Sequence, residues 1–221
     1  MTSWGNVMAN KKTNVFDYLD WRGELSFQQC EFNEIDALIL SIFAYLDFTC
    51  TVSQNSFSFC EAVNLINALP DNVKYDGPNI IMHDVVDLAK NAAVTNRFRD
   101  MRVCGFVDIT DEEREIQFAA ITFLLPDQTA FVSFRGTDNT LVGWKEDFNM
   151  SFIDGIPSQI EAAHYVEKIL EKIQLPIRLG GHSKGGNLAI WASAHQQSFY
   201  KSRILQIYSN DGPGFSEEFL S

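Results

Sequence analysis

Basic residues are scarce in this chain of 221 residues, which has 17 Lys and Arg against 29 Asp and Glu and a net charge of −12. Such an excess of negative charge repels phosphate backbones, so we expect no nucleic-acid partner. Long apolar runs are lacking as well. The longest, residues 37–48, contains Ser41 and Asp47 and, at about a dozen residues, is too short for a stable membrane span. Residues 1–14 have no apolar core of a signal peptide, and we therefore expect a cytoplasmic protein.

Sequence motifs typical of metal-binding or nucleotide-binding sites are also missing. The four cysteines form no C-x-x-C pair and have no histidine at the spacing of a zinc site. We therefore expect free thiols in a reducing compartment, and neither a metal nor another cofactor. The phosphate-binding pattern G-x-x-x-x-G-K-[ST] is absent, which argues against nucleotide binding.

The composition, 46% apolar and 21% charged, is that of a globular protein. We predict a single α/β domain over residues 1–221, with a mainly helical section in residues 1–100 and a sheet core in residues 101–221. One predicted helix opens at Asn33. Four others cover residues 61–69, 79–98, 158–173 and 186–194. Predicted strands cover residues 103–109, 115–125, 129–134, 176–180 and 203–208. The alternation of strands and helices in the second half predicts parallel strands with right-handed crossovers.

The most informative motif lies between the fourth strand and the helix that follows it. Residues 181–185 read Gly-His-Ser-Lys-Gly and fit G-x-S-x-G, the turn that exposes a nucleophilic serine at the top of a sheet. A serine on so sharp a turn crowds the positions two residues away, which favours glycine there. The first N–H groups of the next helix suit a developing oxyanion. We therefore predict Ser183 as nucleophile and the backbone N–H of Lys184 as an oxyanion-hole donor.

A second motif lies upstream, where a strand ends in Phe-Arg-Gly-Thr at residues 134–137 and is followed by Trp144 and Asp147. Together with the turn around Ser183, which we call the elbow, these residues resemble the class-3 lipases. The resemblance is greatest to a bacterial branch of lipase-like α/β-hydrolases whose elbow reads G-H-S-K-G-G-N. The resemblance covers about residues 103–215. It implies an α/β-hydrolase fold with a mostly parallel sheet flanked by helices. It also implies that Thr137 supplies an oxyanion-hole N–H, that Asp147 holds the Thr137 hydroxyl and that Trp144 is an anchor.

The base that a nucleophilic serine needs is not evident. The chain order expected on this fold is serine, acid, histidine, and the one histidine after Ser183 is His195, about 18 Å away along a helix. The resemblance implies that the acid and histidine lie beyond Ser221, so we expect this chain to be truncated at its C-terminus. Asp211 is a second candidate for the triad acid, although it also suits an ordinary turn. We expect His182 to be a packing residue.

These features favour a serine esterase that is lipase-like, acts through an acyl-enzyme on Ser183 and takes a small-molecule ester or lipid with an apolar acyl part. The many phenylalanines, 18 in all, suit an apolar acyl pocket. An alternative is a non-catalytic hydrolase-fold domain that binds a lipid or a protein, and a third possibility is an acyltransferase with the same elbow. The oligomeric state is left open.

Overall fold

The computed structural model describes residues 13–51, 56–70, 81–137, 141–150, 153 and 155–220. Its centre is a six-stranded sheet whose strands follow one another in chain order. They are β1 (Phe57–Ser58), β2 (Arg102–Asp111), β3 (Ile116–Leu124), β4 (Ala130–Phe134), β5 (Ile177–His182) and β6 (Ile204–Asn210). The strands β4, β5 and β6 are parallel, which confirms the predicted parallel arrangement in the second half.

The other half of the sheet is antiparallel. Strand β2 pairs with β1 and with β3, and β3 pairs with β4, in antiparallel register. Residues 112–115 and 125–129 connect β2 to β3 and β3 to β4, and connections this short can only join antiparallel neighbours. The sheet is therefore mixed, and its parallel part is the part that carries the elbow.

Nine α-helices are present in the described ranges, together with a 3₁₀ helix at Thr49–Thr51. The α-helices are α1 (Val15–Arg22), α2 (Glu34–Phe43), α3 (Phe59–Ala68), α4 (Ile81–Ala93), α5 (Leu141–Met150), α6 (Pro157–Lys172), α7 (Lys184–Ala194), α8 (Ser198–Lys201) and α9 (Glu217–Leu220). Helices α1 and α2 begin at capping boxes, in which Asn14 pairs with Asp17 and Asn33 with Asp36, so the first free N–H groups have partners. Within those ranges, no helix is both long and apolar enough to cross a membrane.

The sheet separates two apolar layers, because successive side chains of a strand point to opposite faces. On one face, Phe123 and Phe131 pack with the helices of the N-terminal half. On the other face, Phe118 and Phe134 pack with α6 and α7. Every residue of β4 is buried, so the strand that leads to Thr137 is held from both sides.

Two predicted helices differ from the structure in detail. Residues 79–98 are predicted as one helix, of which residues 79 and 80 lie outside the described part of the chain. Helix α4 ends at Ala93, and the next residue, Val94, is 73% exposed. In α6, the apolar residue Ile160 is exposed. The buried stripe instead follows the i, i+3, i+4, i+7, i+8 spacing of an amphipathic helix; its members are Ala162, Tyr165, Val166, Ile169 and Leu170.

Candidate active site

Ser183 lies on the turn between β5 and α7 and has an unusual backbone conformation, with φ +55° and ψ −128°. Residues other than glycine rarely adopt a positive φ, and this conformation is kept only where the surrounding structure holds the residue in it. Here its N–H donates to the Asn210 carbonyl at 2.9 Å, and its carbonyl accepts from the Gly186 N–H at 2.8 Å. The serine is thus fixed between the neighbouring strand β6 and the first turn of α7, with its side chain half-buried.

Steric crowding explains why glycine occupies the positions two residues before and two residues after the serine. A β-carbon on Gly181 would lie 2.4 Å from the Gly185 carbonyl carbon, and one on Gly185 would lie 2.2 Å from the Phe134 carbonyl oxygen. Both distances fall far below any normal contact. Strand β4 can therefore lie against the start of α7 only because these positions have no side chain.

Thr137 reaches the same edge of the sheet because Phe134 and Gly181 are register partners in the parallel pair β4–β5. The intervening Gly136 lies against the elbow, since a β-carbon there would be 3.4 Å from the Ser183 β-carbon. The Thr137 hydroxyl lies 2.6 Å from each carboxylate oxygen of Asp147 on α5 and donates to that carboxylate. The structure thus brings Thr137 and Asp147 together, beside Ser183.

Lys184, the first residue of α7, contributes in two ways. Its backbone lies where helical N–H groups have no partner within the helix. Its side chain, which sequence reasoning did not use, is 1% exposed. The ammonium donates to the Gln117 carbonyl and side-chain oxygens at 2.7 Å each, and to Glu146 at 2.9 Å. No local pattern in the sequence signals this burial, because Gln117 and Glu146 lie 67 and 38 positions away along the chain.

An apolar cavity of about 490 Å³ opens next to the elbow. Aliphatic and aromatic side chains of α1, α2 and α4 line most of it, and they include Leu38, Ile42 and Leu88. Tyr45, Thr137 and His182 form the part that faces the sheet; the remaining lining residues are Val15, Phe16, Asp84 and Val85. The lining is mainly aliphatic, whereas the sequence predicted phenylalanines. Eight of the phenylalanines are instead fully buried in the core: Phe43, Phe48, Phe59, Phe98, Phe118, Phe123, Phe131 and Phe134.

The histidines whose side chains are described lie elsewhere or have other partners. The Nδ1 of His182 lies 3.2 Å from the Tyr45 hydroxyl, so the ring is directed toward the cavity. His195 stacks on Trp191 at 4.0 Å and bonds to its carbonyl, at the far end of α7. His164 lies exposed on α6. None of these three rings hydrogen-bonds the Ser183 hydroxyl.

Two other predicted residues are at the surface. Asp211 follows β6 with φ +57° and is exposed; among the described side chains no histidine forms a hydrogen bond or ion pair with it. Trp144 was predicted as an anchor, but its side chain is 62% exposed on α5, because α5 turns the face with Glu146 toward the core instead. For metals, the described residues contain no group of three or more potential ligands.

Comparisons with known proteins give two similarities. A family model described as Mbeg1-like matches residues 92–221, more than half of the chain. A fungal lipase, solved as a complex with an inhibitor and interpreted as a model for interfacial activation, is 12% identical with a TM-score of 0.39. That match covers 80% of this chain and 62% of the lipase chain, so this chain spans less than two thirds of the lipase's length. No curated protein matches.

Proposed function

The chain belongs to the Mbeg1-like family, and we propose that it is a serine hydrolase that cleaves carboxylic esters through an acyl-enzyme on Ser183. The observation that carries the proposal is the backbone of Ser183, with φ +55° on a turn between strand and helix that Gly181 and Gly185 make possible. Residues in such sparsely populated conformations cluster at active sites, where the strain presents a reactive group.

The reaction follows from the groups around the serine. The Ser183 oxygen attacks the carbonyl carbon of the ester, and the electron pair of the C=O bond moves to the carbonyl oxygen. Backbone N–H groups of Lys184 and Thr137 would stabilise that negative oxygen, and the Asp147 carboxylate holds the Thr137 hydroxyl. The C–O bond then breaks, the alcohol leaves with a proton, and water hydrolyses the acyl-enzyme to the acid. Loss of one oxyanion donor typically costs about 10²–10³-fold in rate.

The proton of the Ser183 hydroxyl must pass to a general base. None of the three described histidine rings hydrogen-bonds this hydroxyl, so we assign the role to none of them. Asp211 remains a prediction for the acid of the triad.

The cavity supports the proposal that the protein recognises an apolar acyl group of its substrate. Its volume of about 490 Å³ lies in the range of small-molecule sites, and its wall is formed by side chains such as Leu38, Ile42 and Leu88. Thr137 lines both the cavity and the proposed oxyanion hole, so an acyl chain in the cavity would leave its carbonyl close to Ser183. We propose a small-molecule ester or lipid as substrate.

A fluorophosphonate probe, which reacts with activated serines, tests the proposal. We expect the wild-type protein to take up one probe molecule and to hydrolyse nitrophenyl esters, and Ser183→Ala to do neither. Ser193→Ala, which changes another serine near the C-terminal end of the same helix α7, is the matched control and should behave as wild type. A folded wild-type protein that takes no label and cleaves no ester would refute the proposal.

The same cavity also supports the second function that the sequence leaves open, namely binding of a lipid without chemistry. A fluorescent fatty acid that binds equally to wild-type protein and to Ser183→Ala, together with no labelling of either, would establish this alternative in place of the hydrolase.

A further inference from the structure

The ion pair between Lys184 and Glu146 is buried next to the nucleophile, with both side chains 1% exposed. Glu146 accepts three hydrogen bonds, one from the Lys184 ammonium at 2.9 Å and two from the backbone N–H groups of Gln117 and Ser158, at 3.1 and 2.9 Å. These partners belong to α7, β3 and the first turn of α6. One carboxylate therefore fixes α5 against three other elements.

Helix α5 carries two adjacent acids with different partners. Glu146 binds Lys184, whose backbone N–H is one proposed oxyanion donor, while Asp147 binds the hydroxyl of Thr137, whose backbone N–H is the other. The two donors come from separate loops, after β4 and after β5. The pair of acids connects them through a single turn of helix.

We propose that the Lys184–Glu146 pair is a positioning device that sets the distance between the two halves of the oxyanion hole. The inference rests on the proposed function and adds a role for two side chains in it. The side chains of Lys184 and Glu146 act through the position of the two backbone donors and do not touch the substrate.

Two considerations favour positioning over other roles. The ammonium charge is compensated by a carboxylate at 2.9 Å, so it adds little positive potential at the oxyanion. A buried ion pair also gives no general gain in stability over apolar residues of similar volume. What the pair supplies is a fixed geometry, because the carboxylate and the ammonium each satisfy several directional hydrogen bonds.

The experiment is a double-mutant cycle on ester hydrolysis with Lys184→Met and Asp147→Asn. We expect Lys184→Met alone to lower kcat about 10- to 100-fold, less than complete loss of one donor, with little change in KM. In the Asp147→Asn background, the same substitution should cost far less, because Thr137 is then no longer held. Effects that multiply fully in the double variant would overturn the proposal, as would a change confined to KM.

Lys145→Met is the matched control, since Lys145 lies next to Glu146 on α5 but forms an exposed ion pair with Glu115, with side chains 66% and 47% exposed. It should retain wild-type kcat. If Lys184→Met does not fold, Glu146→Gln takes its place in the same cycle, because glutamine keeps the shape of the side chain and removes only the charge. A kcat for folded Glu146→Gln equal to that of Lys145→Met would also overturn the proposal.

Amide hydrogen exchange separates this inference from the proposed function, because it needs no activity. Exchange in α5 should be faster in Lys184→Met or Glu146→Gln than in wild type or Lys145→Met. Faster exchange in a protein that hydrolyses no ester would refute the hydrolase and keep the positioning role. Unchanged exchange would refute the positioning role, whatever the activity.

Discussion

Replacing Gly185 by alanine would place a methyl group where the structure has backbone. The new β-carbon would lie 2.2 Å from the Phe134 carbonyl oxygen, 2.9 Å from its carbon and 3.2 Å from the Arg135 carbonyl carbon. Neither atom of Phe134 can rotate away, so α7 and β4 must separate by about 1 Å, at a typical overpacking cost of about 3 kcal/mol. Alanine favours the helix over glycine by about 1 kcal/mol. We therefore expect a net loss of about 2 kcal/mol in the free energy of unfolding.

Thermal and urea unfolding measure this loss, which corresponds to a melting temperature lower by about 4–8 °C for a chain of this size. Gly214→Ala is the matched control, because a β-carbon on Gly214 meets nothing within 4 Å, and it should change stability by less than about 0.5 kcal/mol. Labelling of Ser183 by the fluorophosphonate should slow in Gly185→Ala and not in Gly214→Ala, since the separation moves Thr137 away from the elbow. Equal stability and equal labelling of the two variants would refute the steric account of the motif.

Two further predictions concern the rest of the core. Arg97 and Asp36 form a fully buried ion pair between the chain after α4 and helix α2, so Arg97→Met should lower the free energy of unfolding by about 3–5 kcal/mol by leaving a buried carboxylate unpaired. Arg99→Met, which changes a side chain that is 55% exposed, is the control in urea unfolding, and equal midpoints for the two variants would contradict the prediction. Burial raises the pKa of the Cys104 thiol from 9.0 to about 11, so this cysteine should resist alkylation at pH 8 in the folded protein and react in urea. Because the pKa is raised in the folded state, the stability that the neutral Cys104 thiol contributes is fully present below pH 9 and is lost as the pH rises toward 11. Rapid alkylation of the folded protein at pH 8 would contradict the raised pKa.

Local patterns were sufficient for the elements that carry the site. The glycines around Ser183 predicted a sharp turn because a single steric rule connects the residue types to the backbone conformation. The order of strands and helices after β4 predicted its parallel neighbours, since each crossover needs a helix. The proximity of Thr137 and Asp147 came from the resemblance to lipases and not from any local rule.

Other features depend on contacts between distant parts of the chain and had no local signal. The cavity is formed by α1, α2 and α4, and a position such as Leu38 has the same apolar periodicity whether it faces a core or a cavity. Lysine is usually exposed, so its identity gave no reason to expect Lys184 in the interior. The anchor role of Trp144 came from the resemblance and not from a local rule; its side chain is exposed because α5 turns the face with Glu146 toward the core.

The conformation of Ser183 is itself informative about its side chain. A positive φ at a residue with a β-carbon costs about 1–3 kcal/mol, a sizeable part of the roughly 5–15 kcal/mol by which folded domains are stable. Glycine would adopt the same φ without that cost, and the chain already has glycine at positions 181, 185 and 186 of this turn. The turn's hydrogen bonds use only the backbone of residue 183, through the Asn210 carbonyl and the Gly186 N–H. A turn needed for packing alone would therefore be better served by a fourth glycine, and the presence of a hydroxymethyl group at this strained position of the turn favours a chemical use for its oxygen.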